Sequence, residues 1–566
     1  METTSTDTTR RVAVMGESVA ARTDQMFPTL TPAQVERIVP HGVRRETHAG
    51  EILMEAGDQS VPFFVVLRGS AEIIRPACDG EILITTYGPG QFSGEVGMLS
   101  GQRAINRAQA VESGEVLQLD RDSMLALVQT DYELGEIILR AFILRRVGLI
   151  EGRIGDVTVI GSRYCGSTLR VKEFLTRNGY PYSYIDLDQD SDVQALLDHF
   201  KIGPEDVPVV ICRGQLVLRH PTNEEIADCL GLNDAVDLTQ VRDLVVVGAG
   251  PAGLAAAVYA ASEGLDVLVL ERSSPGGQAG SSSRIENYLG FPTGISGQDL
   301  AARAYVQAQK FGAEFTIASS AARFACKVRP YAIDIGNDRS VRARSIIIAT
   351  GAEYRKLPLD TISRFEGLGI YYAATAMEEK LCSGEEKIVV GGGNSAGQAA
   401  VYLAGAAGHV HLLVRSPGLE ASMSRYLIRR IEETDRVTLH TCTEISSLEG
   451  NSHLERVTWR DNRTSETSTQ PIRHVFVMTG AAPSTRWLDG CVALDPRGFI
   501  KTGSDLSQED LDSSHWSLAR RPYLLETSLP GVFAVGDVRS GNIKRVASAV
   551  GEGSIAISFV HQVLNG

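Results

Sequence analysis

The chain has no apolar run of the ~18 residues that a membrane helix needs. Its opening, METTSTDTTRR, has no apolar stretch behind its charges, so no secretory leader is expected. Basic residues are in the minority, 55 Lys and Arg against 69 Asp and Glu. The resulting net charge of −14 argues against nucleic acid or an acidic membrane as the main partner. The cysteines (Cys78, Cys165, Cys212, Cys229, Cys326, Cys382, Cys442 and Cys491) show no disulfide-scaffold spacing, which fits a reduced cytoplasmic setting. No metal ligand set is predicted. What remains is a chain of 566 residues with 43% hydrophobic content, enough for roughly three to four domains with real cores.

Three modules follow one another. Residues 1–22 are polar and expected to fray. Over residues 25–150, short β-like runs such as FFVVLRG and EILITTYGPG give way to the helical periodicity of SMLALVQTDYELGEIILRAFILRR. Residues 153–232 alternate strand and helix: VTVIG, TLRVKEFLTRNG, YSYIDLD, VQALLDHF, VPVVICRG and EEIADCLGL, the pattern of a small α/β domain. After a polar linker at Asn233–Gln240, a long α/β region reaches the C-terminus. The predicted class is multidomain: an α+β barrel module, a small α/β module and an α/β part with two dinucleotide sites.

The first dinucleotide site opens with DLVVV, GAGPAG and an alanine-rich helix. Gly248, Gly250, Pro251, Ala252 and Gly253 form the turn that lets the backbone approach a pyrophosphate at a helix N-terminus. The next strand ends on Glu271, followed by Arg272, and an acid at that distance suits an adenosine ribose. The pattern recurs at KIVV and GGGNSA, where Gly391, Gly393, Asn394, Ser395 and Ala396 make the second turn. There Val414 takes the place of Glu271 and Arg415 follows it, which favours a 2′-phosphate and hence NADPH, with NADH also possible. IIIATGA and VFVMTGAAP return the chain beside each nucleotide, and GVFAVGD sets Gly536 and Asp537 at a strand end.

Residues 240–566 resemble the thioredoxin reductase family of two-dinucleotide flavoproteins. The resemblance assigns residues 240–355 and 487–566 to an FAD domain and 356–486 to an NAD(P) domain. It implies FAD contacts at Gly277 and Gln278 in PGGQAG, at Asn287 in IENYLGFP, and at Arg545 and Val546 in KRVASAVGEG. It also implies a nucleotide domain that rotates, with crossings near Pro358–Gly369 and Ala481–Trp487, and a homodimer. One part is missing. The family's redox cysteine pair is replaced by Ala373 and Ala376, which carry no thiol, and Cys382 lies about a turn and a half further on.

A second thiol stands upstream. SRYCGSTL places Cys165 at a strand end and helix start, where free amides and the helix dipole favour an anion. With Val207–Pro208 before an apolar strand, residues 153–232 resemble single-thiol glutaredoxin, Thr168 occupying the second-cysteine position. Residues 25–150 resemble cyclic-nucleotide-binding domains, with Gly94, Glu95 and Arg103 in the phosphate-cassette positions, although Ala-Ile-Asn after Arg103 departs from the family pattern. The leading expectation is an NAD(P)H-dependent FAD oxidoreductase reducing a disulfide substrate or small redox protein through Cys165, its N-terminal module regulating it. The alternatives are a flavoprotein resembling ferredoxin–NADP reductases, passing electrons to a non-disulfide acceptor, and a flavin-containing ligand sensor.

Overall fold

The computed structural model describes residues 22–565 except 60, 78–79, 153–154, 156, 164, 189–202, 204–205, 213–215, 234–235, 283, 373, 375–378, 380–381, 406–407, 452 and 489. The expected N-terminal tail, the helix over VQALLDHF, and both Ala373 and Ala376 lie outside the described residues.

The N-terminal module is two facing sheets closed by helices. Strands β1 (Val43–Thr47), β7 (Gly114–Leu119) and β3 (Phe63–Arg68) form one, in that order. Strands β2 (Ile52–Met54), β6 (Arg107–Ala110), β4 (Ala71–Ala77) and β5 (Gly80–Tyr87) form the other. Helix α1 (Pro32–Ile38) precedes them; α2 (Arg121–Thr130) and α3 (Tyr132–Glu151) follow. The side chain of Asp131 caps α3 by accepting from the Leu134 amide at 3.0 Å. The inward stripe of α3 is Leu134, Ile138, Ala141, Phe142, Arg145 and Leu149, a helical spacing that puts the Arg145 guanidinium on the core face, with Arg146 buried beside it.

The small α/β module has the sheet order β11 (Leu216–Arg219), β10 (Val209–Cys212), β8 (Val157–Gly161), β9 (Ser183–Asp186), with α4 (Gly166–Arg177) and α5 (Asn223–Leu230) packed on it. Strand β11 has no counterpart among the elements expected from the sequence. Its four residues are exposed or half-buried, so they carry no strong apolar pattern.

In the FAD-type domain, β14 (Glu314–Ile317), β13 (Val267–Glu271), β12 (Val241–Val247) and β17 (Ser340–Ile348) pair in parallel. β16 (Tyr331–Asp334) and β15 (Arg323–Ala325) extend the sheet antiparallel, and β28 (Val532–Ala534) joins β17 in parallel. The central strands are buried on both faces, as parallel sheets require. Helices α6 (Pro251–Ser262), α7 (Gly297–Lys310) and α10 (Val546–Asn565) cover them. The nucleotide domain is a five-stranded parallel sheet, β19 (Ile370–Tyr371), β26 (His474–Val477), β20 (Lys387–Val390), β21 (Val410–Val414), β22 (Val437–Thr441), beside a three-stranded antiparallel meander. Helix α8 (Asn394–Gly405) follows β20, and α9 (Arg425–Glu432) lies between β21 and β22. The chain crosses between the two domains as a two-stranded ribbon, Ala352–Tyr354 against Ala481–Pro483.

Helix α7 is the shared platform. Gln298 at its start donates to the Thr176 carbonyl of α4 at 3.0 Å, and the Lys310 carbonyl at its end accepts from Gln129 of α2 at 2.6 Å. The α/β module's core is continuous with the FAD-type domain, one buried cluster running from Val171 and Leu175 to Ala313 and Phe315.

The cysteine expectation needs correction. Cys212 is bonded to Cys229 and Cys326 to Cys491, across separations of 17 and 165 residues. Such pairs are set by the fold, so no sequence rhythm announces them.

Candidate functional site

The first glycine turn owes its shape to close backbone approach. Gly248 adopts φ +105°, and a Cβ there would sit 2.5 Å from the Ala349 carbonyl oxygen. A Cβ on Gly253 would collide with the Gly248 carbonyl, so α6 can begin against the strand only with glycine there. Gly250, the N-cap, faces open space: the nearest atom to a Cβ would be the Gly277 Cα at 4.0 Å. Pro251 at N1 gives up an amide the helix has no use for.

Glu271 is buried beneath this turn. One carboxylate oxygen accepts from the Ala249 amide at 2.8 Å, the other from Ser273 at 2.8 Å and Ser274 at 3.2 Å. Burial pushes its pKa up against those three hydrogen bonds. Ala252 packs beneath Gly536, and Gln278 donates to the Ala352 carbonyl. Asp537 takes no hydrogen bond from any described residue, and burial raises its pKa, with Lys544 opposing. An unpaired, half-buried carboxylate beside an open helix N-terminus fits the hydroxyl-rich chain and pyrophosphate of FAD. Val546 starts α10 at the same end of the sheet, whereas Arg272, Asn287 and Arg545 lie exposed.

In the second turn Gly391 adopts φ +144° against the Met478 carbonyl. Asn394 accepts from the Ser424 amide at 2.7 Å, Ser395 is exposed and Ala396 is buried. Gly393 is open, with nothing nearer to a Cβ than 4.0 Å. Arg415 lies exposed at the end of β21 and makes no ion pair among the described residues. The open turn and the free guanidinium fit a phosphorylated nicotinamide nucleotide.

Cys165 is a half-buried free thiol at the N-cap of α4. The Val207–Pro208 bond is cis, and the Pro208 carbonyl accepts from the His220 amide at 2.9 Å. Thr168 is buried against Gly161 with no partner for its hydroxyl. The start of α4 packs on the nucleotide domain: a Cβ on Gly166 would lie 3.6 Å from the Glu366 carbonyl oxygen and 3.9 Å from Leu368. Its other end packs on the FAD-type domain, Arg177 donating to the Gly277 carbonyl at 2.8 Å and Asn178 to that of Ser273 at 3.2 Å. One helix therefore links the thiol to both dinucleotide domains.

In the barrel, Gly94, Glu95 and Arg103 line one cavity. Glu95 is already engaged, accepting from the Gly97 amide at 2.9 Å and pairing with Arg146 at 3.1 Å.

Residues 242–553 match the family model for pyridine nucleotide-disulphide oxidoreductase, residues 44–131 that for the cyclic nucleotide-binding domain, and residues 157–217 that for glutaredoxin. The chain belongs to the pyridine nucleotide-disulphide oxidoreductase family. It is 32% identical over 326 residues to a thioredoxin reductase of Ureaplasma parvum, an alignment covering 57% of this chain and 97% of that one. An NADPH-dependent thioredoxin reductase 3 of Arabidopsis thaliana is 31% identical over 61% of this chain and 64% of its own. The solved thioredoxin reductase of Lactococcus lactis, in its FR conformation, aligns with a TM-score of 0.51 at 26% identity, over 57% of this chain and 99% of that chain. This pyridine nucleotide-disulphide oxidoreductase is thus an NAD(P)H-dependent flavoprotein with two further domains on its N-terminal side. Among the described residues no helix is long and apolar enough to cross a membrane.

Sequence reasoning missed three contributors. Arg177 and Asn178 are ordinary helix-end residues until the FAD-type loop is seen beneath them. Arg145 escaped notice as a charge in a helix, although its place in the apolar stripe of α3 was readable.

Proposed function

We propose that this protein is a cytoplasmic NADPH-dependent thiol–disulfide reductase in which Cys165 does the thiol chemistry that the family resemblance assigns to a cysteine pair in the nucleotide domain. The carrying observation is the packing of Gly166 on Glu366–Leu368, which lead directly into the segment holding Ala373 and Ala376. The thiol helix docks where the family's disulfide would begin.

FAD held by Gly248–Gly253, Glu271 and Asp537 would supply a two-electron relay between nicotinamide and thiol. The Cys165 thiolate opens a substrate disulfide, forming a mixed disulfide and releasing one thiolate. Two electrons from NADPH, with a proton, return Cys165 and the second substrate thiol, so one NADPH yields two thiols. The Ala352–Tyr354 and Ala481–Pro483 ribbon is the hinge on which the domains exchange positions. Arg415, with Val414 in place of an acid, favours NADPH over NADH. A homodimer belongs to the same reading on the family resemblance alone.

The barrel is the regulatory part. A ligand beside Gly94, Glu95 and Arg103, a cyclic nucleotide or another small anion, would disturb Arg146, which pairs with Glu95 and lies 5.9 Å over the Tyr180 ring of the thiol module.

The test is NADPH-dependent reduction of hydroxyethyl disulfide by wild type and Cys165→Ser. Loss of turnover with flavin bleaching by NADPH retained is expected. Unchanged disulfide turnover, or fast ferredoxin reduction with no disulfide turnover, would overturn it.

A further inference from the structure

The barrel cavity, open on one side, has about 60 Å³ between walls that include Met54, Ile73, Ile84 and Leu149. Four of its lining residues carry buried side-chain polar atoms with no hydrogen-bond partner among the described residues: Arg145 Nη2, Thr85 Oγ1, Asn106 Oδ1 and Glu95 Oε2, the last facing Arg146 as an ion pair at 3.1 Å. Orphaned groups are rare in a folded interior, and here they gather at one void.

Arg145 is the strongest of them. It is 4% exposed. Its Nε donates to the Met26 carbonyl at 3.0 Å and its Nη1 to that of Gly94 at 2.8 Å, both neutral acceptors. The rings of Phe27, Tyr87 and Phe92 stand 5.4, 5.2 and 4.8 Å from the guanidinium. No carboxylate pairs with it among the described residues, and the one nearby, Glu95, is held by Gly97 and Arg146. Burial pulls its pKa down, the mark of a charge without a counter-ion. An unpaired charge in an apolar interior is costly, and an anion arriving there removes that cost.

We propose that the barrel binds a small organic monoanion, a carboxylate on a short alkyl body, with Arg145 as its counter-charge. This rests on reading the barrel as the regulatory ligand domain. The space beside Arg145 holds about four to six waters, room for a short alkyl chain. Thr85 supplies a hydroxyl that can donate to a carboxylate.

The test is calorimetric titration of the full-length, FAD-loaded protein with isovalerate and hexanoate, against isoamyl alcohol and cyclic AMP. The carboxylates should bind once per chain, and the alcohol roughly tenfold to hundredfold more weakly, as loss of a charge-assisted contact implies. Arg145→Met should lose the same factor, and Thr85→Val, which keeps the charge, several-fold. If Arg145→Met does not fold, the alcohol comparison and Thr85→Val decide. No heat from either carboxylate in the millimolar range, equal binding by Arg145→Met, or tighter cyclic AMP binding that depends on Arg103 would each overturn the proposal. Cys165→Ser should bind the carboxylates as wild type does, so failure of the redox reading leaves this result intact.

Discussion

Gly166, the first residue of the thiol helix, packs on Gly367 of the nucleotide domain: a Cβ on Gly367 would lie 3.7 Å from the Gly166 Cα. A Cβ at either position would sit at ordinary van der Waals distance from its neighbours, so a larger side chain is needed to disturb the approach, which sets the start of the thiol helix beside the entrance to β19. Gly166→Val leaves the flavin and nucleotide turns untouched but pushes two methyls into the Glu366–Leu368 turn. Disulfide turnover should fall about tenfold or more, as misplacement of a reacting group implies, while NADPH-driven dye reduction stays as in wild type. Parallel losses in both assays would mean the contact supports only the fold.

Arg415 is the free cation of the second dinucleotide turn. Arg415→Gln removes the charge and keeps the length of the side chain roughly similar. KM for NADPH should rise roughly tenfold to hundredfold, the worth of a charge-assisted contact, with KM for NADH little changed. Steady-state kinetics with both nucleotides reads this directly, and an equal rise for both would remove Arg415 from the 2′-phosphate.

Asp537 gives a pH prediction. Its pKa is raised, chiefly by burial, so the folded apoprotein favours the neutral carboxyl. Stability from that group is therefore present at low pH and lost as pH rises through the raised value. Asp537→Asn apoprotein should melt with wild type near pH 4, about the ordinary aspartate pKa, and above it near pH 7. The same variant should keep less FAD through gel filtration, because an amide accepts fewer hydroxyl hydrogen bonds than a carboxylate. Identical melting curves at both pH values would refute the assignment.

Much of this was legible in the sequence, for local reasons. Gly248 and Gly391 sit between an apolar strand and a helix, and the close approach that demands glycine leaves a spaced motif. Cys165 shows itself because strand end, thiol and helix start are contiguous. Strand β11 did not, because four half-exposed residues carry no period. Arg177 and Asn178 did not either, since their partners at Gly277 and Ser273 are roughly a hundred residues away. Arg145 was legible in principle, one charge on an apolar stripe, but its meaning needs the cavity it faces.

The bond between Cys326 and Cys491 closes a loop of 165 residues that contains the whole nucleotide domain. It ties the point where the chain re-enters the FAD-type domain to strand β15. On the loop-entropy account, a closure of that length is worth about 5 kcal/mol to the folded state. Cys326→Ser should therefore lower the melting temperature by several degrees, as the same change does in other large domains per kcal/mol lost. With reductant present, which also opens Cys212–Cys229, wild type and variant should melt at the same temperature, wild type having lost more. Insensitivity of wild type to reductant would mean that the two thiols stay reduced, as the cytoplasmic reading prefers, and that this restraint is absent in the working enzyme.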